Sequence, residues 1–268
     1  MAISLASLNR VDTPKPPRIV LYGPHGIGKN TFLAGCPNPV LVDIEGGQPA
    51  NAPVNAFPQA RSFGDVMEAL SVLYTEDHDF RTVGVDSLDW LEPLVWAEAI
   101  RRNNETPGNK QWNSIEDAGY GKGYIAALDV WRDYLDAVNA LRNDKGMIVV
   151  QTAHAEVKRF DSPETEPFDR YQIKLQKSAS ALVQEHADMV LFANFKHATA
   201  KTEVGANKTV VRGIGVGSRT LYTEERPAFL AKNRHGLPPE LALSWAAVEA
   251  AVAASIPQAE TAQVAAAA

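Results

Sequence analysis

The chain has 268 residues, a formal net charge of −6, 45% hydrophobic residues and one cysteine, Cys36. The hydrophobic content suffices for a packed core, whereas the lone cysteine excludes internal disulfides and zinc sites built from several cysteines. The negative charge excludes a surface that is basic throughout, so any contact with nucleic acid must use a local patch. The N-terminal residues have neither a basic start nor a long apolar segment, and we expect a cytoplasmic protein without a membrane span.

The first predicted strand leads into a glycine-rich loop that is typical of phosphate binding. Residues 1–17 end in a proline-rich segment and are expected to form a flexible lead-in, and residues 18–22 form an apolar run typical of a buried strand. In the pattern G-x-x-x-x-G-K-[ST], backbone N–H groups wrap phosphates and the lysine reaches the terminal phosphates. A tight turn is the alternative, but it gives Lys29 no role. We predict nucleotide binding by Gly23, Pro24, His25, Gly26, Ile27, Gly28, Lys29, Asn30 and Thr31.

Asn30 stands where this pattern has the serine or threonine hydroxyl that holds Mg²⁺. An asparagine carbonyl can ligate the ion, but the side chain is bulkier than serine and its amide nitrogen repels a cation. Thr31 does not replace it, because the next helical residue projects about 100° round the axis. We therefore expect ATP binding to persist while hydrolysis is slow or absent.

Apolar strands and amphipathic helices then alternate along the chain. Continuous apolar runs predict further strands at residues 39–43, 82–86, 146–151 and 188–193. A capping-box pattern predicts a helix that starts at Ser62, and helical spacing predicts another over residues 123–143. This alternation predicts a three-layer α/β domain with a mainly parallel sheet, whose ligand lies at the carboxyl ends of the strands.

Two strand ends supply carboxylates to that predicted edge. Glu45 follows the second strand, where a general base that orients water towards a γ-phosphate must lie, although a plain acidic turn before two glycines is the alternative. Asp86 ends the strand at residues 82–86, where a carboxylate can hold the water shell of Mg²⁺, although a strand-ending aspartate is also common as a cap. Asn30 and Asp86 are therefore the predicted metal residues.

The C-terminal part of the chain has a different pattern. Segments at residues 195–199, 209–213 and 219–223 predict antiparallel strands joined by glycine-rich turns, which extend the sheet. Residues 246–268 are rich in alanine and predict a short helix followed by a disordered tail. The predicted domain is therefore residues 18–245.

The position of Glu45, just after the second core strand, resembles that of the catalytic base in RecA-like ATPases. The segment at residues 229–245 is similar to the Lys-x-Arg-x-Gly segment of RecA-like recombinases and hexameric helicases. The resemblance implies that Lys232 and Arg234 reach the γ-phosphate of a neighbouring subunit, and therefore a homo-oligomer. A solvated basic turn is the alternative for these two residues.

A narrower resemblance, over residues 18–245, is to phage-encoded RecA-like P-loop ATPases of the single-strand annealing recombination type. It is carried by the phosphate-binding loop together with Asp43-Ile-Glu45-Gly-Gly, Asp86-Ser-Leu-Asp-Trp-Leu-Glu92, Thr152-Ala-His154, Phe168-Asp-Arg170-Tyr171 and Ala231-Lys-Asn-Arg234. The resemblance implies ATP and Mg²⁺ as cofactors, and single-stranded DNA and a single-strand-binding protein as partners. It also places His154 where a polar residue senses the γ-phosphate, although a histidine bonded to backbone is an equal alternative.

In RecA-like proteins DNA-contacting loops follow the third and fourth core strands, which predicts such loops near residues 103–123 and 155–178. A second basic segment, residues 194–219, reads either as a phosphate-contacting β-ribbon or as a solvated hairpin. Trp112, Tyr120 and Tyr171 are weaker candidates for base stacking. The basic candidates for DNA contact are Lys158, Arg159, Arg170, Lys174, Lys177, Lys196, Lys201, Lys208, Arg212 and Arg219.

Three functions fit these patterns. The first is an oligomeric recombination ATPase that binds single-stranded DNA. The second is a nucleotide-gated assembly or loader protein, in which ATP stabilises an oligomer that acts on a protein partner. The third, a metabolic P-loop kinase, lacks a motif for an acceptor substrate and leaves Lys232 and Arg234 unexplained.

Overall fold

A mixed sheet of ten strands forms the centre of the computed structural model. The structure describes residues 15–48, 50–162, 166–203 and 209–255, with the backbone alone over residues 197–203 and 209–216. The strands are β1 (Arg18–Gly23), β2 (Pro39–Asp43), β3 (Asn55–Ala56), β4 (Thr82–Asp86), β5 (Ile148–Phe160), β6 (Phe168–Ile173), β7 (Met189–Glu203), β8 (Thr209–Tyr222), β9 (Lys232–Asn233) and β10 (Glu240–Ala242). Their order is β10-β8-β7-β1-β5-β4-β2-β3, and β6 and β9 pair with β5 and β7.

Helices cover both faces of this sheet. They are α1 (Lys29–Ala34), α2 (Phe63–Thr75), α3 (Leu88–Glu105), α4 (Lys122–Asp144), α5 (Lys177–His186) and α6 (Trp245–Ser255). Helices α2 to α5 bury their apolar faces in one core cluster, whereas α1 and α6 pack in a second cluster on the opposite face. The strands from β1 to β5, together with β7, pair in parallel, and β8 and β10 extend the sheet with antiparallel pairs. The predicted three-layer α/β fold is confirmed.

Two helices follow the predictions closely. The backbone N–H of Asp65 donates to Ser62 Oγ (3.1 Å) and the N–H of Ser62 donates to Asp65 Oδ2 (3.0 Å), which is the predicted capping box of α2. Helix α4 lies over the predicted residues. Helix α3 was not predicted, because Pro93 interrupts its second turn and its charged residues weaken the apolar pattern.

Two stretches differ from the predictions. Residues 155–178, predicted as a loop, form the second half of β5, the paired strand β6 and the start of α5. The three strands predicted at residues 195–199, 209–213 and 219–223 are parts of only two long strands, β7 and β8. The first difference arises because strands that project beyond the covered sheet lose the apolar runs by which buried strands are predicted. The second arises because the glycines inside β8, at positions 213, 215 and 217, indicate a turn when they are interpreted locally.

The strand that carries the phosphate-binding loop lies between these projections. Gly23 at the end of β1 is level with His154 of β5, and Tyr22 is level with Phe192 of β7. The chain beyond these points forms the β5–β6 hairpin, whose strands cover residues 155–160 and 168–173, and the β7–β8 hairpin, whose strands cover residues 193–203 and 209–222. Both hairpins therefore extend past the carboxyl edge of the sheet, one on each side of the loop.

The structure describes only part of each end of the chain. The predicted short C-terminal helix is present as α6, with Trp245 and Val248 buried. Residues 1–14 of the predicted lead-in and residues 256–268 of the predicted tail lie outside the described residues. The bounds of the predicted domain stay a prediction. Cys36 is buried, and its Sγ lies 3.6 Å from the carbonyl oxygen of Phe32. Among the described helices, none has the length and apolar character needed to cross a membrane.

Candidate nucleotide-binding site

A cavity of about 350 Å³ opens at the carboxyl edge of the sheet, above β1, β2 and β4. The phosphate-binding loop forms its floor, and Glu45, Asp86, His154 and Arg219 line its walls. These side chains come from strand ends that meet at one edge because β1, β2, β4 and β5 are parallel. The predicted convergence of the loop with Glu45, Asp86 and His154 is therefore present.

The loop takes its shape from glycines and one apolar anchor. A Cβ atom at Gly23 would lie 2.3 Å from the carbonyl oxygen of Ala193, so only glycine fits between β1 and β7. Gly28 has a φ of +112°, a conformation that other residues rarely adopt. Ile27 was predicted to bind the nucleotide, but its side chain is fully buried, so only its backbone can face a ligand. His25, Gly26 and Thr31 are exposed to solvent around the cavity.

Lys29 lies under the loop with only 7% of its surface exposed. Its Nζ donates to the carbonyl oxygens of Gly23 (3.3 Å) and Pro24 (3.2 Å). Burial lowers the pKa of the amine, and the nearby carboxylates of Asp86 and Glu45 oppose that shift. A bound phosphate would supply the strong acceptors that these two carbonyl groups replace.

Asp86 is surrounded by hydrogen-bond donors of the protein. Its Oδ2 accepts from Asn30 Nδ2 (2.9 Å) and Gln48 Nε2 (3.4 Å), and its Oδ1 accepts from the hydroxyl of Thr152. An amide oxygen so close to a carboxylate would be repelled, so the carboxylate itself fixes the amide of Asn30 with its NH₂ group inward. This donor set does not fit Mg²⁺, which needs oxygen ligands. A cation bound directly to Asp86 Oδ2 would have to displace the Asn30 amide.

Glu45 is the only other carboxylate on the cavity wall among the described residues. Its Oε2 accepts from Ser87 Oγ (3.2 Å), and its Oε1 lies 3.9 Å from His154 Nε2. Burial raises the pKa of Glu45, the charge on Asp86 raises it further, and His154 opposes both. A partly buried carboxylate with a raised pKa beside a phosphate loop has the properties of a general base.

His154 is held by Asp89, which had no predicted role. The Asp89 carboxylate accepts from the backbone N–H of His154 (3.0 Å) and lies 3.0 Å from its Nδ1. Burial would raise the pKa of Asp89, but these bonds outweigh it and lower the pKa. Because Nδ1 carries the proton that faces Asp89, Nε2 is left to face Glu45 and the cavity.

Arg219 also reaches the cavity, although it was predicted only as part of a DNA-contacting segment. Its Nη1 lies 2.9 Å from the position that a Cβ atom would take at Gly28. Arg219 pairs with Phe195 next to a register shift in the β7–β8 hairpin. Such irregularities redirect side chains, and no local sequence pattern reports where the side chain will point.

A family model described as an AAA domain matches residues 15–235. The chain belongs to the AAA domain family. No match to a curated protein was found. Among solved structures, the crystal structure of the RadB recombinase is similar to this AAA domain, with 17% sequence identity and a TM-score of 0.42 over 81% of this chain and 86% of that chain.

Lys232 and Arg234 of the AAA domain lie far from its own phosphate-binding loop. Lys232 is in β9, level with the start of β7, and the Arg234 guanidinium lies 3.5 Å from Asp188 just before β7. Lys232 Nζ donates to the carbonyl oxygens of Gln184 (2.7 Å), Glu185 (3.2 Å) and Ala187 (2.8 Å) at the end of α5. Lys232 thus has a structural contact within the chain, and its role towards a neighbouring subunit stays a prediction.

Most of the described basic candidates for DNA contact have acidic partners. Pairs within 4 Å join Lys158 to Glu156, Arg159 to Asp161, Arg170 to Glu225, Lys174 to Asp89 and Lys196 to Glu240. Lys177 is exposed at the start of α5. The side chains of Lys201 and Arg212 are not described, and Lys208 lies outside the described residues. DNA contact by these residues therefore stays a prediction.

The three candidate stacking residues differ in their surroundings. Tyr120 is fully exposed in the turn before α4, and it has a positive φ of 49°. Trp112 is partly buried, and its backbone bonds to the side chain of Asn104 (2.8 Å). Tyr171 stacks on Phe192 with ring centres 5.1 Å apart, and this ring packs against the core. Tyr120 is therefore the best placed of the three for a base.

Proposed function

We propose that this chain is a RecA-like, ATP-binding protein that acts as an oligomer on single-stranded DNA in phage recombination or replication. ATP binding or hydrolysis would control annealing, in cooperation with a single-strand-binding protein. The convergence of Lys29, Glu45, Asp86 and His154 at one sheet edge carries this proposal. In that arrangement Lys29 binds phosphate, Glu45 orients the attacking water and His154 detects the γ-phosphate beside Glu45.

The positions of Lys232 and Arg234 support an oligomer. Arg234 is level with the start of β1, five residues before Gly23, which corresponds to about 17 Å along a strand. A guanidinium at the opposite sheet edge does not reach its own phosphate loop. Any contact between Arg234 and a γ-phosphate must therefore join two subunits.

The two projecting hairpins support contact with single-stranded DNA. Both extend from the edge that carries the phosphate-binding loop, so DNA bound between or along them would lie close to the nucleotide. The β5–β6 hairpin begins directly after His154, and the side chain of Arg159 near its tip is 69% exposed. Contacts to phosphates by such side chains would be sequence-indifferent and salt-dependent.

A second function has one observation in its favour. The hydrogen bond from Asn30 to Asp86 occupies the place where hydrolysing P-loop proteins hold their metal. A chain that binds ATP with little turnover would act as a nucleotide-gated assembly or loader protein. Its ligand would stabilise an oligomer, and its target would be a protein partner.

The deciding experiment measures ATP hydrolysis and ATP binding with and without single-stranded DNA, for the natural chain and for Asn30→Ser. The first function predicts hydrolysis that DNA stimulates, and a further rise in Asn30→Ser. The second predicts ATP binding with no DNA-stimulated hydrolysis in the natural chain. Asn55→Ser, at an exposed position in β3, is the matched control. If Asn30→Ser leaves a low rate unchanged, the assignment of Asn30 as the cause is wrong.

A further inference from the structure

We propose that the site binds the triphosphate of ATP without a divalent cation and that the guanidinium of Arg219 supplies the positive charge in its place. This inference rests on the proposed nucleotide binding. It assigns to Arg219 a phosphate contact made within its own subunit, distinct from the contact expected of Arg234.

The first step is that donors of the protein already bond to both carboxylate oxygens of Asp86. The residue is only 2% exposed, and both of its carboxylate oxygens accept hydrogen bonds from the protein. A cation bound directly to Oδ2 would have to displace the amides of Asn30 and Gln48. The displaced NH₂ groups would then lose charge-assisted bonds, which are stronger than bonds between neutral groups.

The second step is that Arg219 lies on the side of the loop that phosphates approach. Its Nη1 is 2.9 Å and its Cζ is 3.8 Å from the position of a Cβ atom at Gly28, the last glycine of the loop. The side chain of Arg219 has no hydrogen bond or ion pair within the part of the chain that the structure describes, so its guanidinium donors are free. A planar guanidinium presents two parallel N–H groups to a phosphate, which an ammonium group cannot do.

The third step is the balance of charge in the cavity. Two carboxylates, Glu45 and Asp86, repel a polyanion, and among the described residues that line the cavity Lys29 is the cation under the loop. Arg219 adds a second cation to the cavity wall, beside Gly28. Because Arg219 extends from the β7–β8 hairpin, ATP would also join that hairpin to the loop.

The test is equilibrium binding of a fluorescent ATP analogue to the full chain, in MgCl₂ and in EDTA. We expect the two dissociation constants of the natural chain to agree within about threefold. Arg219→Ala should weaken binding in EDTA by about 10- to 100-fold, the loss typical of a charged hydrogen-bonding group. Arg219→Lys should recover only part of that loss, because lysine lacks the planar fork. Arg132→Ala, in an exposed pair on α4, is the matched control and should bind normally.

Two further measurements test the role of the Asn30–Asp86 bond and the role of Arg219 separately. Asn30→Ser, which removes the amide from Asp86, should bind the analogue more tightly in MgCl₂ than in EDTA. Inorganic tripolyphosphate in EDTA should displace the analogue from the natural chain but compete much less well with Arg219→Ala. Thermal melting checks that each variant is folded.

The outcomes distinguish this inference from the proposed function. If the natural chain binds the analogue only in MgCl₂, the inference is overturned while nucleotide binding stands. Failure to bind under either condition overturns both. If Arg219→Ala loses affinity for the analogue but not for tripolyphosphate, the guanidinium contacts the base or ribose, and its assignment to phosphate is wrong.

Discussion

Glu45 shows how the surroundings of one residue set its chemistry. Its carboxylate accepts from Ser87 Oγ, faces His154 and lies near the charge of Asp86. Burial and that charge raise its pKa, so Glu45 takes up a proton at a higher pH than an ordinary glutamate does. A base of this kind is active only when it is ionised.

Glu45→Gln should lower DNA-stimulated hydrolysis by about 10²- to 10⁴-fold, the usual contribution of a general base, while ATP binding is unchanged. In the natural chain the rate should fall as the pH drops through the raised pKa of Glu45, because protonation removes the base. Steady-state rates across a pH series measure both effects. Glu68→Gln, exposed on α2, is the control. DNA-stimulated turnover that survives in Glu45→Gln would show that another group is the base.

The site residues differ in how far the sequence alone reveals them. Lys29 and Glu45 follow apolar strands and Asp86 ends one, and parallel strands bring their carboxyl ends to one edge. Arg219 comes to the same cavity from β8, through a register shift beside Phe195 that no motif marks. Asp89 is equally hidden, because its contact with His154 depends on the packing of the unpredicted helix α3 against β5.

At the scale of elements, a short strand carries the side chain that caps the end of a helix. Strand β9 places Lys232 against the last carbonyl groups of α5, which have no partners within the helix. The ammonium group also lies at the negative end of the helix dipole. Arg234, two residues later, is half exposed beside Asp188. Neighbouring basic residues therefore differ in what they contribute to folding.

Lys232→Ala should lower the free energy of unfolding by about 1–2 kcal/mol, since three carbonyl groups lose a charged donor at a helix end. Arg234→Ala should cost less than about 1 kcal/mol, as exposed pairs usually do, yet lower DNA-stimulated hydrolysis by about 10³-fold if it acts across the interface. Urea unfolding and hydrolysis rates give the two quantities. Lys110→Ala, in an exposed loop, controls for loss of a lysine. Equal losses of stability in the Lys232 and Arg234 variants would contradict this division.

The two hairpins are the elements that could not be predicted from the local sequence pattern. Buried strands β1, β2 and β4 carry continuous apolar runs and were predicted almost to the residue. Beyond His154 no residue of β5 is fully buried, residues 157–159 are exposed, and the segment lacks the continuous apolar run that marks a buried strand. Its pairing with β6 is a contact between distant residues, so neither half of the hairpin can be assigned without the other.

For the whole molecule, the two halves of the proposed site lie on opposite edges of the sheet. Glu45 and the phosphate-binding loop are at the carboxyl edge, and Arg234 is at the amino edge. Subunits that complete each other's sites must therefore associate head to tail, through a heterologous interface. Such an interface generates a ring when its rotation closes and a filament when it does not.

This geometry predicts that two inactive variants restore each other. In an equal mixture of Glu45→Gln and Arg234→Ala, random head-to-tail association gives about a quarter of the interfaces an intact Glu45 and an intact Arg234. DNA-stimulated hydrolysis should recover towards that fraction of the natural rate. Glu45→Gln mixed with the double variant Glu45→Gln/Arg234→Ala contains no intact interface and is the control. A mixture as inactive as its parts would reject the shared site.

The alternation of strands and helices along the whole chain was sufficient to predict the three layers. Each apolar strand and each amphipathic helix must bury its apolar side against another element, and this requirement can be recognised from its own sequence. The order of the strands was not predictable in the same way. In the strand order, β5 lies between β1 and β4. This position depends on packing across the entire sheet and not on the sequence of any one strand.

The burial of Cys36 has a practical chemical consequence. Its surroundings raise the pKa of the thiol, so the reactive thiolate is scarce and an alkylating reagent has no access to it. A cysteine introduced at a fully exposed position, such as Tyr120→Cys, would then be the one site that a maleimide dye modifies. The natural chain is already a suitable background for attaching a single fluorophore, without prior removal of its own cysteine.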